Sequence, residues 1–396
     1  MVTATVRLKP KADAQALRHG YPWAYVDDLV LDRRTRAIAP GAFVRLEDAH
    51  RVPLGTYAFH AGSKIAARLI DRDPEATIDT AWFADKIATA AAHRTRLYQE
   101  PFYRLIHAEA DGLPGVIIDR FGDTAAFQPN AAWADTNANA IVQALIEVTG
   151  VKTVVLNGSG RARALEGLED RVDVVHGDVS GPIDVPMNGA VYKADLLGGQ
   201  KTGLFFDQRD NHAFAAKLAQ DADVLDVFSH VGGFGLAMLA GGARSALAVD
   251  SSLPALELAL QGAAQSGATD RFETRRGDAF KTMETLADEG ATFDVVVCDP
   301  PAFAPSKKVL TQGLRAYERV ARLAAPLVRP GGYLGLCSCS HAADMTRFLR
   351  ASSRGIGRAG RSANLIHSGA AGPDHPLLPA LAESGYLKAL FFRLGP

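Results

Sequence analysis

The spacing of apolar and polar positions divides the chain into stretches of different rhythm. Two short apolar-rich runs, Ala42-Phe43-Val44-Arg45-Leu46 and Pro53-Leu54-Gly55-Thr56-Tyr57, flank the polar segment Glu47-Asp48-Ala49-His50-Arg51. That order predicts a hairpin. Lys64 to Ile70 is a third run of the same kind, so residues 1 to about 75 read as a small β-rich unit. Asp73-Pro74-Glu75 breaks the pattern, and Ala81 to Leu97 is helical by composition. A mixed α/β stretch follows from Phe102 to about Pro186, with a strand at Gly115–Asp119 and a helix from Ala138 to Val148. Gly181-Pro182 and Met187-Asn188-Gly189 read as turns.

From about Asp223 strands and helices alternate. Strands are predicted at Val224–Phe228, Ser245–Val249, Phe272–Arg275, Phe293–Cys298, Gly332–Ser338 and Tyr386–Leu394. Helices are predicted at Phe234–Ala240, Pro254–Gln265, Val309–Leu327 and Ala342–Arg350. This rhythm implies a mostly parallel sheet covered by helices on both faces. Such sheets bind ligands outside the carboxyl ends of their strands. The expected division is therefore 1–75, 76–186 and 187–396. No repeat, heptad array or low-complexity tract interrupts it.

Composition narrows the function classes. A chain of 396 residues exceeds one ordinary hydrophobic core. Its net charge of -1 creates no global field for a polyanion, so any nucleic-acid surface must come from local clustering. The first 75 residues are mildly basic, with Arg33, Arg34 and Arg36 close together, which a solvated surface explains equally well. Three cysteines exclude a disulfide scaffold and fit a reducing compartment. The N-terminus lacks an apolar signal region, and no run of about eighteen apolar residues suggests a membrane span. The cytoplasm is the expected location.

Candidate chemistry gathers at the predicted strand ends. Asp226-Val227-Phe228-Ser229-His230-Val231-Gly232-Gly233-Phe234-Gly235 follows an apolar strand and opens a helix. Its glycines permit a tight turn and a close ligand approach. The spacing is not the GxGxxG of dinucleotide enzymes. An acid-ended strand followed by such a loop is the arrangement that binds S-adenosylmethionine (SAM). The second strand ends at Asp250-Ser251, placed for ribose hydroxyls. The third ends at Gly277-Asp278-Ala279, where Asp278 is placed for the adenine amino group. Taken singly, these acids are equally good helix N-caps, and the glycines equally good turn residues.

The fourth strand ends in Cys298-Asp299-Pro300-Pro301-Ala302-Phe303, a proline-stiffened turn beside the cofactor edge. Asp-Pro-Pro resembles the turn with which many methyltransferases hold a planar base. The fifth ends in Leu336-Cys337-Ser338-Cys339-Ser340-His341. A thiol at that rim suits chemistry on a pyrimidine carbon. Thiolate addition to C6 makes C5 enamine-like, C5 takes the methyl group, and loss of the C5 proton expels the thiol. Cys339 lies last and is the preferred nucleophile. Cys337 shares its face if the strand continues, and Cys298 reads as core. A strand cysteine with no such context is more often packing.

These residues resemble the bacterial 23S ribosomal RNA (cytosine-5)-methyltransferase family, which joins a PUA domain, a central domain and a Rossmann-like class I methyltransferase domain. The resemblance spans essentially the whole length. Its pieces are Gly203-Leu204-Phe205-Phe206-Asp207-Gln208-Arg209-Asp210-Asn211, Phe228-Ser229 with Gly232-Gly233-Phe234, Asp299-Pro300-Pro301 with Phe303, and Ser338-Cys339-Ser340. Asp111-Gly112-Leu113-Pro114-Gly115, Asp119-Arg120-Phe121-Gly122 and Asp374-His375-Pro376 complete it.

The resemblance implies an α/β fold with a small β-barrel-like PUA domain in front. Asp207, Gln208 and Arg209 would frame the cofactor pocket, Arg209 near the methionine carboxylate. Asp226, Phe228, Ser229, Gly232, Gly233, Phe234, Asp250, Ser251, Asp278, Ala279, Asp299 and Pro300 would hold SAM. Cys339 would be the nucleophile, and Asp299 could also polarise the cytosine edge. The PUA unit would grip 23S rRNA. No metal is expected, and a homodimer is compatible with the chain. The sequence departs from the family at Ser229-His230-Val231-Gly232, where relatives often have Ser-Tyr-Thr-Gly, and at Cys337, where many carry an apolar residue. Related enzymes often use a second cysteine after the fourth-strand proline, but here the chain reads Pro300-Pro301-Ala302.

Other readings stay open at this point. A purine N-methyltransferase acting on rRNA would use the same Asp-Pro-Pro turn and leave Cys339 idle. A SAM-binding ribosome-assembly factor would need no catalysis. A small-molecule methyltransferase would leave the N-terminal unit without a purpose.

Overall fold

The computed structural model describes residues 4–199 and 203–395. Met1–Thr3 and Pro396, the outer ends of the first and last expected domains, lie outside them. The chain forms two compact units. One is built from Met1–Gly181, Leu196–Thr202 and Pro373–Ser384, the other from Pro182–Asp195, Gly203–Gly372 and Gly385–Pro396.

The first unit contains two five-stranded sheets. One has the spatial order Ala4–Arg7, Ala42–Glu47, Pro53–Phe59, Ile65–Asp71, Trp23–Tyr25. The expected hairpin forms, Ala42–Glu47 pairing antiparallel with Pro53–Phe59. Asp48 closes its turn, one carboxylate oxygen accepting from the backbone N–H of His50 and of Val52 at 2.8 and 2.9 Å. The alternate positions Val44, Leu46, Tyr57 and Phe59 are buried, as strand periodicity requires. The other sheet runs Arg171–His176, Thr153–Gly158, Thr124–Pro129, Val116–Phe121, Phe102–His107. The helix Thr80–Leu97 begins one residue before its expected start because Asp79 caps it, accepting from Trp82 N–H at 2.9 Å. Its Arg94 is fully buried. Asp111 grips the guanidinium through two hydrogen bonds of 2.7 and 2.6 Å, and the carbonyls of Arg104 and Asp374 accept two more. Asp374 itself accepts from Arg104 N–H at 3.0 Å. The Asp374-His375-Pro376 segment is thus built into this unit.

The second unit is organised around a seven-stranded sheet, whose strands are numbered here from its first. They are β1 (Asp223–Val227), β2 (Ser245–Asp250), β3 (Phe272–Arg276), β4 (Phe293–Cys298), β5 (Val328–Ser338), β6 (Ala363–Gly369) and β7 (Lys388–Leu394). The order is 3-2-1-4-5-7-6. The four pairings among β1 to β5 are parallel and β7 runs antiparallel to β5 and β6. Between β1 and β4 the direction of winding reverses, which opens a crevice at the carboxyl ends. Helices α1 (Gly233–Ala240), α2 (Leu253–Gln265), α3 (Ala279–Asp288), α4 (Leu310–Ala324) and α5 (Met345–Arg358) fill the connections. Leu225, Val227, Val296, Cys298, Leu334 and Leu336 are buried in one core with α3, α4 and α5.

Several element ends shift by a few residues from the sequence expectation, most of all in one helix. The helix expected at Ala342–Arg350 is α5, which starts later because Asp344 caps it through Arg347 N–H at 2.8 Å and which runs on to Arg358. Ser352, Ser353, Gly355 and Gly357 lower its propensity and hide that second half. Gly355 is required there, since a Cβ would lie 2.3 Å from Glu318 O on α4. Strand β6 was not expected, because its side chains are mostly exposed at the sheet edge and show no alternation. Among the described residues no helix is long and apolar enough to cross a membrane.

Candidate active site

The β1–α1 loop is shaped by its glycines and by one buried acid. Gly232 caps α1 in the left-handed region at φ +82°. A Cβ there would sit 3.2 Å from Leu236 and Phe272 and 3.3 Å from Ala259. Phe228 and His230 also have positive φ, +62° and +50°. For side chains of that size this is strained backbone, held only because the surroundings fix it. The fixing bonds are visible. Ser229 N–H donates to Val249 O at 3.0 Å, and His230 N–H donates to an Asp250 carboxylate oxygen at 2.9 Å. The other Asp250 oxygen accepts from Ser252 N–H at 2.8 Å.

Replacing Gly232 by alanine should therefore cost about 1–2 kcal/mol of stability from the left-handed strain alone and weaken cofactor binding further by moving the loop. Thermal unfolding and a SAM titration check both. An alanine variant that melts and binds like wild type would remove the loop from the site.

Asp226, the last but one residue of β1, is fully buried beneath the loop. One oxygen accepts from Gly235 N–H at 2.8 Å, and the other has no hydrogen-bond partner among the described residues. Burial, with a smaller push from the Asp250 charge, raises its pKa to about 7. The Ser229 hydroxyl of the same loop is likewise buried and has no hydrogen-bond partner among the described residues. Tyr192 OH supports the loop from below, donating to Gly233 O at 3.1 Å, and the buried His212 packs edge-on to Phe234 with ring centroids 4.4 Å apart.

Asp207, Gln208 and Arg209 occupy the turn entering the helix Arg209–Lys217. Tyr386 OH donates to Asp207 at 2.6 Å, while the other Asp207 oxygen is buried without a hydrogen bond among the described residues. Gln208 is buried and its amide donates to Asp299 at 2.9 Å. Asn211 in turn donates to the Gln208 carbonyl at 2.6 Å. This chain joins the segment to the β4 turn. Arg209 lies over the Phe206 ring, 5.5 Å from its centroid.

Asp278 is exposed and caps α3, accepting from Lys281 N–H at 2.9 Å. The N-cap reading of that acid is realised in the structure. Ser251 is exposed, Ala279 and Pro300 are buried, and Asp299 is half-buried. Phe228 meets Phe280 and Phe303 edge-on, with Tyr317 behind Phe303, so the wall of the crevice is aromatic.

The three thiols differ. Cys298 and Cys337 are buried, and burial pushes both thiols far above the ordinary range. Cys339 is half-buried. Strands β4 and β5 are parallel neighbours with Cys298 opposite Leu336, so Asp299 and Cys339 leave adjacent strand ends. Behind Cys339, the Ser340 hydroxyl accepts from Ala304 N–H at 2.9 Å and is bonded to Tyr317 OH at 2.7 Å. These contacts tie the β5 end to the β4 turn. Sequence reasoning missed Tyr192, Tyr386 and Lys388 as parts of this region. Asn211 and Ser340 stood within quoted motifs but received no role.

The family model for S-adenosylmethionine-dependent methyltransferases matches residues 160–393, and one for a PUA-like domain matches 6–72. Ribosomal RNA large subunit methyltransferase I of Aliivibrio fischeri strain MJ11 is 34% identical over 402 aligned positions, covering 99% of this chain and 100% of the relative. The chain belongs to the ribosomal RNA large subunit methyltransferase I family. The enzyme of that name from Aeromonas hydrophila is 36% identical over 85% of the chain and 86% of its own length. The solved structure of a SAM-dependent methyltransferase from Streptococcus mutans has the same fold, with a TM-score of 0.82, 19% identity and coverage of 99% of this chain and all of its own. This protein is therefore a SAM-dependent methyltransferase with an N-terminal PUA-like domain.

The described residues fit that cofactor. SAM has an α-ammonium, a sulfonium, a ribose diol and a planar base. The loop and the Phe206–Gln208 turn oppose them with two carboxylates, the buried Asp226 and the half-buried Asp207, each with one buried oxygen that has no hydrogen-bond partner among the described residues, and with a glycine cap that keeps Cβ atoms away. A carboxylate whose pKa is raised by burial gains from a cation placed beside it. When bound, SAM supplies an electrophilic methyl group.

Proposed function

We propose that this methyltransferase forms 5-methylcytosine in 23S ribosomal RNA, with Cys339 adding to C6 of the target cytosine. The observation that supports this best is the pairing of a half-buried thiol with the Asp299-Pro300-Pro301 turn at the ends of neighbouring parallel strands. The relatives' name, which specifies the large-subunit RNA, agrees with it.

The roles divide as follows. Asp226, Ser229, Gly232, Gly233 and Phe234 shape the cradle for the methionine end of SAM, with Asp207, Gln208 and Arg209 at its side. Phe228, Asp250, Ser251, Asp278 and Ala279 hold the nucleoside. Asp299 and Pro300 hold the cytosine edge, and Gln208 keeps the Asp299 carboxylate in place. Cys339 forms the bond to C6 and leaves when the C5 proton is lost. A cytosine stacked in a helix hides its C6 face, so the target must be single-stranded or flipped out. The exposed Arg33, Arg34 and Arg36 of the short helix Arg33–Arg36 suit contact with RNA phosphates. We also propose the division into segments 1–75, 76–186 and 187–396, a cytoplasmic location, and action as a homodimer.

The test is methyl transfer from labelled SAM to 23S rRNA lacking its modifications, followed by nucleoside analysis. Label in 5-methylcytidine is expected. Label in a purine nucleoside would replace this reading with amino or ring-nitrogen methylation, and no transfer at all would favour an assembly role.

A further inference from the structure

Strand β7 brings a buried lysine to the end of β5 that carries the thiol. Lys388 is the first residue of β7 and stands opposite Ser338 of β5. It is 6% exposed, and its Nζ donates to the carbonyl of Ser340 at 2.7 Å. That carbonyl belongs to the residue directly after Cys339. A buried ammonium is costly unless an opposite charge lies near. The acidic groups that face it are the Cys339 thiol and, at the start of α5, the Asp344 carboxylate. Burial holds the Lys388 pKa below its ordinary value, and those two groups oppose the shift.

Among the described residues, the phenol and the carboxylate near Cys339 do not favour a thiolate. Tyr317 on α4 has its pKa raised by burial, with Cys339 adding to the shift, so the phenol stays neutral. Asp344 is exposed and negative, which disfavours a second anion nearby. His341, two residues beyond the thiol, is exposed and packs against Tyr386 at 5.5 Å between ring centroids.

We propose that Lys388 is a positioning residue that keeps Cys339 as a thiolate in the free enzyme. The thiol proton leaves to water and Lys388 remains protonated, so charge balances as an ammonium–thiolate pair. The same pairing stabilises the sulfur when the C6–S bond breaks at the end of the cycle. Its use in catalysis rests on Cys339 being the nucleophile, but the pairing itself does not.

Alkylation by iodoacetamide tests it without RNA or methyl transfer. The rate at Cys339 is followed against pH by tandem mass spectrometry, which separates it from the buried Cys337. Wild type should show a midpoint below the free-cysteine value of about 8.5. Lys388→Met should move the midpoint up by about one unit or more, with a roughly tenfold slower reaction at pH 7. Lys388→Arg should keep most of the wild-type profile. A wild-type midpoint at or above the free value overturns the proposal even if the methionine variant fails to fold. So does an unchanged midpoint in a Lys388→Met enzyme that still binds SAM. A low midpoint together with a fully active Cys339→Ala enzyme would sink the nucleophile and leave the pair standing.

Discussion

Replacing Cys339 by alanine should lower methyl transfer by on the order of a thousandfold or more while SAM still binds. The reason is chemical. C5 of cytosine is too weak a nucleophile to take a methyl group unless C6 first gains an electron-rich substituent. The described residues offer no other thiol for that work, since Cys298 and Cys337 are buried with strongly raised pKa values. Serine at 339 should be nearly as inactive as alanine, because an alkoxide is far less available than a thiolate near neutral pH. Folding should change little, because Cys339 is half-buried at the start of a loop and loses one small side chain. Two measurements decide. Single-turnover transfer to unmodified 23S rRNA gives the rate loss. RNA containing 5-fluorocytidine should trap a covalent complex with wild type and none with the alanine enzyme, since fluorine at C5 cannot leave as a proton. An alanine variant that transfers methyl groups at the wild-type rate would refute covalent catalysis and favour purine methylation.

Much of the fold was legible because its elements obey simple periods. β2 and β4 carry unbroken apolar stretches, Ala246–Val249 and Val295–Cys298, as strands covered on both faces do, and β1 is apolar apart from its two aspartates. The loop after β1 announced itself through Gly232 and Gly233, and the β4 turn through Pro300 and Pro301. What stayed hidden depends on contacts distant in sequence. No local pattern in Tyr386-Leu387-Lys388 tells that the first bonds Asp207 and the third bonds Ser340 O. The antiparallel register of β7 on β5, which sets Lys388 opposite Ser338, creates the second. Edge strand β6 lacks an alternating face, so the periodicity that found its neighbours passed over it. Asp278 shows a further limit. A strand-end acid before a helix satisfies an N-cap and a ligand site equally, and the structure shows the cap directly.

Asp226 yields the second large effect, and its sign follows from burial. Its pKa is raised from 3.8 to about 7, so the folded protein holds a proton there that the unfolded chain releases near pH 4. Between about pH 4 and 7 the native state therefore binds more protons, and stability falls as pH rises through that window. The loss is on the order of 3–4 kcal/mol by pH 7 and levels off above the folded pKa. Asp226→Asn keeps an acceptor for Gly235 N–H and removes the titration. Its stability should lack that slope, so the difference between variant and wild type in urea unfolding should grow from pH 4 to 7. SAM binding should show the opposite trend. A cation held against the ionised carboxylate expels the proton, so wild-type affinity should rise about tenfold per unit from pH 5 to 7 and then flatten. Calorimetry in buffers of different ionisation heat should record one proton released per SAM below pH 7. The asparagine enzyme should bind more weakly and almost independently of pH. Equal slopes in both proteins would place the SAM ammonium elsewhere and leave Asp226 as a clamp for the turn into α1.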